Sequence, residues 1–487
     1  MNKPLRRISL FCGLLVLALL IRTNWLQYVQ AEDLSTRKEN RRVQIAQYAT
    51  ERGNIIVGGQ PVTGSAVTDG SDFKFKRTYI DGPLWAPVTG YASQAFGSTQ
   101  LEKIDDGILT GNDDRLFFDR TIGMFTGEKK QGGNVITTLN ADAQKAAFQQ
   151  LGNKKGAVAA IDPRTGAILA LASTPSYDPS SFAGNSKNDE KAWRELNDSA
   201  DKNLVNRALR ETYPPGSTFK VVTAAAALEH GVISDINTPT DTPEPYILPG
   251  TKTPMVNHAT GCEKASLIYA LQVSCNSVFA NVGDKVGRDG MVETAQKFGF
   301  NSTIDTPVRA FASVYDKTMG KDGNALSSIG QFNTAATPLQ MAMVTAAIAN
   351  DGKLMKPYMV EQLTAPNLDT IEKHEPQEMS RPLSAANAQK VQQMMVNVVE
   401  HGTGTPAQIK NVKVGGKTGT AQHGEKNAKR PYAWFISYAE LPDGTSPVAV
   451  AVVIEDSNVQ DRDDITGGGL AAPVAKAVME AVLKNKG

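Results

Sequence analysis

The sequence predicts an α+β fold with one antiparallel sheet assembled from both ends of its larger domain. Apolar, strand-like stretches occur at residues 156–172 and again at 412–454, with a long block of helical pattern between them. Strands gathered at the two ends of a helical block imply α+β, whereas regular alternation would imply a parallel α/β sheet. The 487 residues allow two or three domains with a large core, and 41% apolar with 21% charged residues is the composition of a folded protein. A formal net charge of +1 gives no global reason to expect nucleic acid. Five histidines with no H-x-x-x-H pair argue against a metalloenzyme, so no metal and no cofactor are expected.

Lys3, Arg6 and Arg7 precede an apolar run from Ile8 to Ile21, and Arg22, Trp25 and Tyr28 follow it. The run alone has the length of a signal core. However, Arg22 can snorkel and Trp25 and Tyr28 suit the interface, so residues 8–29 can cross a bilayer. Val29-Gln30-Ala31 matches a cleavage site only loosely. Residues 1–31 are therefore expected to form a cytoplasmic tail and a retained anchor, with the basic N-terminus inside and the remainder outside.

Residues 32–50 are polar, and Arg37, Lys38, Arg41 and Arg42 suggest a helix or stalk. Residues 52–57 read as a strand and 58–61 as its turn. Short alternating stretches broken by glycine fill 60–115, as in a small α+β module with little helix, and a linker is expected near 127–133. A second domain is expected from 153 to 487, leaving 32–152 as a non-catalytic pedestal. It opens with a hairpin, 156–161 and 167–172, around Asp162-Pro163-Arg164-Thr165-Gly166. Residues 176–212 read as loop or short helix. Helical pattern then runs to about 400, including 266–282 and 339–349, before strands at 412–421, 433–439 and 448–454 and a last helix at 471–483. The hairpin and the last three strands are expected to pair as a sheet of five, with the helical block on one face.

Tyr213-Pro214-Pro215-Gly216 brings the chain in extended, and an Ala-rich run then favours helix to Glu229. Ser217 and Lys220 share the first-turn face of that helix, a hydroxyl beside an amine at the positive helix end. A nucleophile needs an adjacent base, and an oxyanion needs fixed N–H donors. S-x-x-K alone is unspecific: it also occurs at Ser35–Lys38, Ser71–Lys74 and Ser199–Lys202. Ser274-Cys275-Asn276 lies within a helical pattern. A serine and an asparagine two apart do not share a helix face, so a turn is expected there, with both side chains directed into a cleft. S-x-N recurs at Ser186–Asn188, which reads as loop. Lys417-Thr418-Gly419-Thr420 starts a strand. Its lysine and threonines suit a carboxylate, Gly419 would let a ligand lie against the backbone, and an extended peptide could add as a strand. Cys262 and Cys275 are a disulfide candidate in an oxidising space, with two buried thiols as the alternative, while a zinc site with His258 lacks a fourth ligand.

In the order Ser217, Ser274, Lys417, the three motifs form the set S-x-x-K, S-x-N, K-T-G, which is associated with penicillin-binding proteins and class A β-lactamases. The chain resembles the class B penicillin-binding proteins, in their short actinobacterial form. The likeness extends to Arg52-Gly53-Asn54-Ile55, Arg77-Thr78-Tyr79, Gly90-Tyr91, Gly97 and Leu101-Glu102 in the pedestal. It continues through Asn206-Arg207-Ala208, Gly330-Gln331, Thr337-Pro338-Leu339-Gln340, Gly402-Thr403-Gly404-Thr405 and Trp434-Phe435. Asn140 stands where the family pattern has Asp.

The resemblance implies the serine transpeptidase fold in a bacterial cell membrane protein. It also implies D,D-transpeptidase activity on peptidoglycan stem peptides ending in D-Ala-D-Ala, acylation by β-lactams, and a polytopic membrane glycosyltransferase as partner. It assigns Ser217 as nucleophile, Lys220 as base and Ser274 as proton relay. Asn276 would hold a stem-peptide amide, and Lys417, Thr418 and Thr420 the terminal carboxylate, with the N–H groups of Ser217 and Thr420 as oxyanion hole. A Cys262–Cys275 disulfide, expected to form, would pin the S-x-N loop. A D,D-carboxypeptidase differs only in using water as acceptor, and a non-turning-over β-lactam sensor or scaffold is a non-enzymatic alternative. A β-lactamase would need a water-activating group, and the region beyond Asn276 offers Ile304-Asp305-Thr306-Pro307.

Overall fold

The computed structural model describes residues 3–37, 40–68, 72–117, 121, 130–457 and 459–484. Helix α1, Lys3–Tyr28, buries no residue and is the one described helix long and apolar enough to cross a membrane. At 1.5 Å per residue it is about 39 Å long, enough for the hydrocarbon core and both interfaces. This is compatible with a single-pass anchor.

The pedestal is built on a mixed sheet that contains β1 (Ile55–Val57), the short strand Gln60–Pro61 and β2 (Asn134–Thr137), with β1 parallel to β2. Thr63–Val67 and Phe75–Tyr79 form a separate hairpin. The pedestal has more helix than the sequence suggests, at Gly82–Thr89, Gln100–Ile104 and Asp106–Leu109. These helices have too few turns to print a period, and tertiary burial of Leu84, Trp85, Leu101 and Leu109 stabilises them instead. Of the expected linker, 127–129 lies outside the described residues; Lys38 and Ser71 do as well.

Helix α2, Ala141–Leu151, follows β2. Asn140 caps it, its side chain accepting from Ala143 N at 2.9 Å. Asparagine and aspartate cap equally well, so the departure from the family pattern costs the helix nothing. The hairpin β3 (Lys155–Ile161) and β4 (Ile168–Thr174) comes next. The central helices are α3 (Lys220–Glu229), α4 (Leu267–Val273), α5 (Asn276–Lys297) and α6 (Pro338–Ala349). Strands β5 (Val360–Thr364) and β6 (Thr370–Lys373) then return to the pedestal, where β5 pairs with β2. Helix α7 (Ala385–His401) leads to β7 (Lys413–Ala421), β8 (Tyr432–Glu440) and β9 (Val448–Asp456), and α8 (Ala472–Lys484) closes the chain.

The larger sheet has the order β7-β8-β9-β3-β4, antiparallel throughout, with β7 at one edge. The central helices α3 and α6 cover one face, as expected, and α2 and α8 cover the other. Ala449, Ala451 and Val453 join the core with α3 and α6, whereas Val450, Val452 and Ile454 face Ala143, Ala147 and Leu151 of α2 and Val478 of α8. The unbroken apolar run of β9 is what a strand buried on both sides requires. Packing therefore divides the chain differently from a linear boundary at 152: α2 covers the larger sheet, and 360–373 completes the pedestal sheet. Neither exchange leaves a local trace in the sequence, because partners far apart in the chain decide it.

Candidate active site

Tyr213 pairs with Ala336 through two backbone bonds of 2.9 and 2.8 Å, and Pro214 O accepts from Trp434 Nε1 at 3.0 Å. The chain then makes a 3₁₀ turn, Gly216–Phe219, and enters α3 at Lys220. Gly216 has φ +54°, and its N–H donates to Gly330 O at 2.9 Å. A Cβ on Gly330 would sit 2.1 Å from Gly216 O, so the serine turn and Gly330-Gln331 cross backbone to backbone. Ser217 is half-buried in this turn, while Lys220 to Leu228 are buried.

Helix α4 ends at Ser274 in the left-handed region, φ +67°, and α5 starts two residues later. The expected turn is there. For a residue with a Cβ this conformation costs roughly 1–2 kcal/mol, and it is held by bonds from both sides. Lys220 Nζ donates to Ser274 O at 2.8 Å, to Ser274 Oγ at 3.2 Å and to Asn276 Oδ1 at 2.7 Å. Lys417 Nζ donates to Ser274 Oγ at 2.9 Å and to Thr418 O at 3.0 Å. Two ammonium groups thus converge on one hydroxyl. No bond between Lys220 and Ser217 Oγ forms among the described residues, since Lys220 is committed to Ser274 and Asn276. Cys262 and Cys275 are joined by a disulfide, with Cα atoms 5.7 Å apart, so their sulfurs offer no thiolates to a metal.

Both lysines are fully buried. Burial pushes the Lys220 ammonium well below its ordinary value, and the Lys417 charge pushes it further. Burial brings Lys417 down to about 7.

Lys417, Thr418, Gly419 and Thr420 lie on the edge strand β7, against the serine turn. Thr418 Oγ1 is 2.6 Å from Thr403 Oγ1, and Thr420 is exposed. Gly419 also has a packing reason that the sequence does not print. A Cβ there would lie 2.9 Å from Pro215 O and 3.0 Å from Thr218 Cγ2, so glycine lets β7 approach the serine turn.

Two other copies of the short motifs lie elsewhere. Ser199 Oγ donates to Asn203 Oδ1 and Lys202 pairs with Glu211 on the surface. Ser186 caps the helix Lys187–Asn197.

Residues 156–480 match the family model of the penicillin binding protein transpeptidase domain. The chain belongs to the penicillin-binding protein transpeptidases. Residues 52–135 match the penicillin-binding protein A dimerisation domain. The chain is 39% identical to the peptidoglycan D,D-transpeptidase PbpA of Mycolicibacterium smegmatis and 40% identical to that of Mycobacterium tuberculosis, in each case over 100% of both chains. It is similar to penicillin-binding protein A of M. tuberculosis as a ceftriaxone acyl-enzyme, with TM-score 0.84 and 40% identity over 90% of this chain and 100% of that one. The penicillin G acyl-enzyme gives 0.82 and 40% over 89% and 100%.

Within this penicillin-binding protein, Thr403 and Asn257 adjoin the site without a sequence signal that marks them as site residues. Thr403 was visible only as part of Gly402-Thr403-Gly404-Thr405, with nothing to pair it to Thr418. Asn257 carries no motif at all, yet its side chain accepts from Asn276 N at 2.7 Å.

Proposed function

We propose that this chain is a membrane-anchored serine D,D-transpeptidase that crosslinks peptidoglycan stem peptides and is acylated by β-lactams. The observation that carries the reading is the meeting of two buried lysines at Ser274 Oγ beside the Ser217 turn, in a chain of this family. An ordinary lysine with a pKa near about 10.4 is a poor base at neutral pH; burial and a neighbouring cation lower that of Lys220, as a general base requires.

Ser217 Oγ attacks the carbonyl between the last two D-alanines while Lys220 takes its proton. The N–H groups of Ser217 and Thr420 hold the oxyanion, each such donor being worth about 3 kcal/mol. The C–N bond breaks as Ser274, fed by Lys220 or Lys417, passes a proton to the departing D-alanine amine. An ester on Ser217 remains. An amine of a neighbouring stem attacks it, forms the crosslink and returns the proton to Ser217. Lys417, Thr418 and Thr420 hold the terminal carboxylate, with Gly419 keeping their strand close. Asn276 holds a stem amide: its Nδ2 donates one hydrogen to Val256 O at 2.8 Å and has a second for substrate.

Residues 153–487 carry this chemistry and 32–152 support it. The basic N-terminus stays in the cytoplasm and the catalytic domain faces outward. A polytopic membrane glycosyltransferase supplies the glycan strands.

The test is intact mass of the full-length chain after incubation with benzylpenicillin. A stable one-to-one adduct on Ser217, absent from Ser217→Ala, is expected; labelling of that variant would mean another nucleophile. Loss of the adduct within minutes would favour hydrolysis over transfer.

A further inference from the structure

Helix α5 begins at Asn276 without a side-chain cap from Cys275, whose sulfur is bonded to Cys262. The first N–H groups of a helix have no intrahelical acceptor, and an unmet one in a half-buried cleft is costly. Asn257, from a separate loop, meets them: its Oδ1 accepts from Asn276 N at 2.7 Å and from Ser277 N at 3.0 Å. Its Nδ2 donates to Glu244 Oε1 and to Ser277 Oγ, both at 2.8 Å. The preceding residue, Val256, takes the Asn276 side chain on its carbonyl. One loop thus holds Asn276 by backbone and side chain, and Asn276 Oδ1 in turn holds Lys220 Nζ.

The arrangement uses both ends of an amide. Alanine would leave two N–H groups unmet. Aspartate would keep the acceptor but set its charge against Glu244.

We propose that Asn257 is a positioning residue of the transpeptidase site, capping α5 from outside and thereby fixing the Ser274-Cys275-Asn276 turn against Lys220. The inference rests on the function proposed above. It is tested on the full-length chain with a fluorescent penicillin, separating the acylation rate k2 from the binding constant Ks. N257A should lower k2 about tenfold, the effect of losing a cap of ordinary strength. N257D should also be slow, and N257D/E244Q should recover to within about threefold of wild type, because the amide that replaces the Glu244 carboxylate can donate to the new aspartate.

Melting curves for each variant separate positioning from folding. N257A with wild-type k2, a loss explained wholly by the unfolded fraction, or a double variant no faster than N257A would each overturn the inference. Wild-type protein that is not acylated at Ser217 would overturn the functional reading along with it.

Discussion

In the pedestal, Arg52 and Arg77 are buried against Glu102. Arg52 Nε is 2.9 Å from one carboxylate oxygen and Arg77 Nε 2.6 Å from the other, with Asp106 taking a further bond of 2.7 Å from Arg52. In the cleft, Lys220 and Lys417 are equally buried but meet only neutral oxygens, and among the described residues neither has an ion-pair partner. The difference lies in what each cluster is for. Guanidiniums that never titrate, forked onto one carboxylate, form a fixed strut. Ammonium groups denied an anion hold their protons less tightly, and the proposed proton transfers need that property.

Three changes would break or sharpen this contrast, in descending order of effect. Lys220→Met should cut acylation by at least about 10³-fold, within the range that general acid–base groups contribute. Its melting temperature should move by no more than about 3 °C, since removing a buried polar group that is costly to desolvate offsets the bonds it made. A fluorescent-penicillin assay with a melting curve checks both.

Glu102→Gln should do the reverse. It leaves two buried guanidiniums short of a counter-charge and should cost about 3–5 kcal/mol by denaturant titration, with k2 of the folded fraction unchanged. Burial pushes the Glu102 carboxyl up, but Arg77 and Arg52 more than offset it and hold it below its ordinary value. Its contribution is therefore complete above its unfolded pKa of about 4.3 and is lost as pH falls through the folded value. The lysines act in another window. The folded pKa of Lys417, about 7, lies below its unfolded one, so the unfolded chain binds more protons between them and stability should rise with pH from about 7 to about 10, with the lowered Lys220 acting in the same direction.

The smallest effect is on the pH profile. Acylation should rise as Lys220 loses its proton and fall above about 7 as Lys417 loses its charge, if that charge binds the carboxylate. Lys417→Arg stays protonated and should remove the descending limb, although its different fork will weaken binding at every pH. A descending limb that survives the substitution belongs to another group.

Much of this site was legible because its chemistry sits on local punctuation. Pro214-Pro215-Gly216 before an alanine run marks a turn entering a helix, and Ser274-Cys275-Asn276 cannot share a helix face. Asp162-Pro163-Arg164-Thr165-Gly166 fixes the hairpin, with Gly166 N bonded to Asp162 O at 2.9 Å. The illegible parts depend on partners remote in sequence. Asn257 matters through helix α5, Thr403 through Thr418, and Gly419 through Pro215. A lowered Lys220 pKa is what a role as base calls for, but the burial and the neighbouring Lys417 that produce it are encoded by no spacing.

Strand β5 also bears on how the molecule is made. It lies between β2 and β6 in the pedestal sheet, yet it is synthesised more than two hundred residues after β2. While the chain emerges from its N-terminus, the pedestal exists with the β2 edge open, a bare row of backbone donors and acceptors that invites pairing with another chain. A fragment ending near residue 152 would keep that open edge permanently, and α2 would have lost the sheet it covers. Cutting the gene at the apparent border of the two domains should therefore yield an aggregating N-terminal piece. A pedestal meant to stand alone would need residues 360–373 grafted back beside β2.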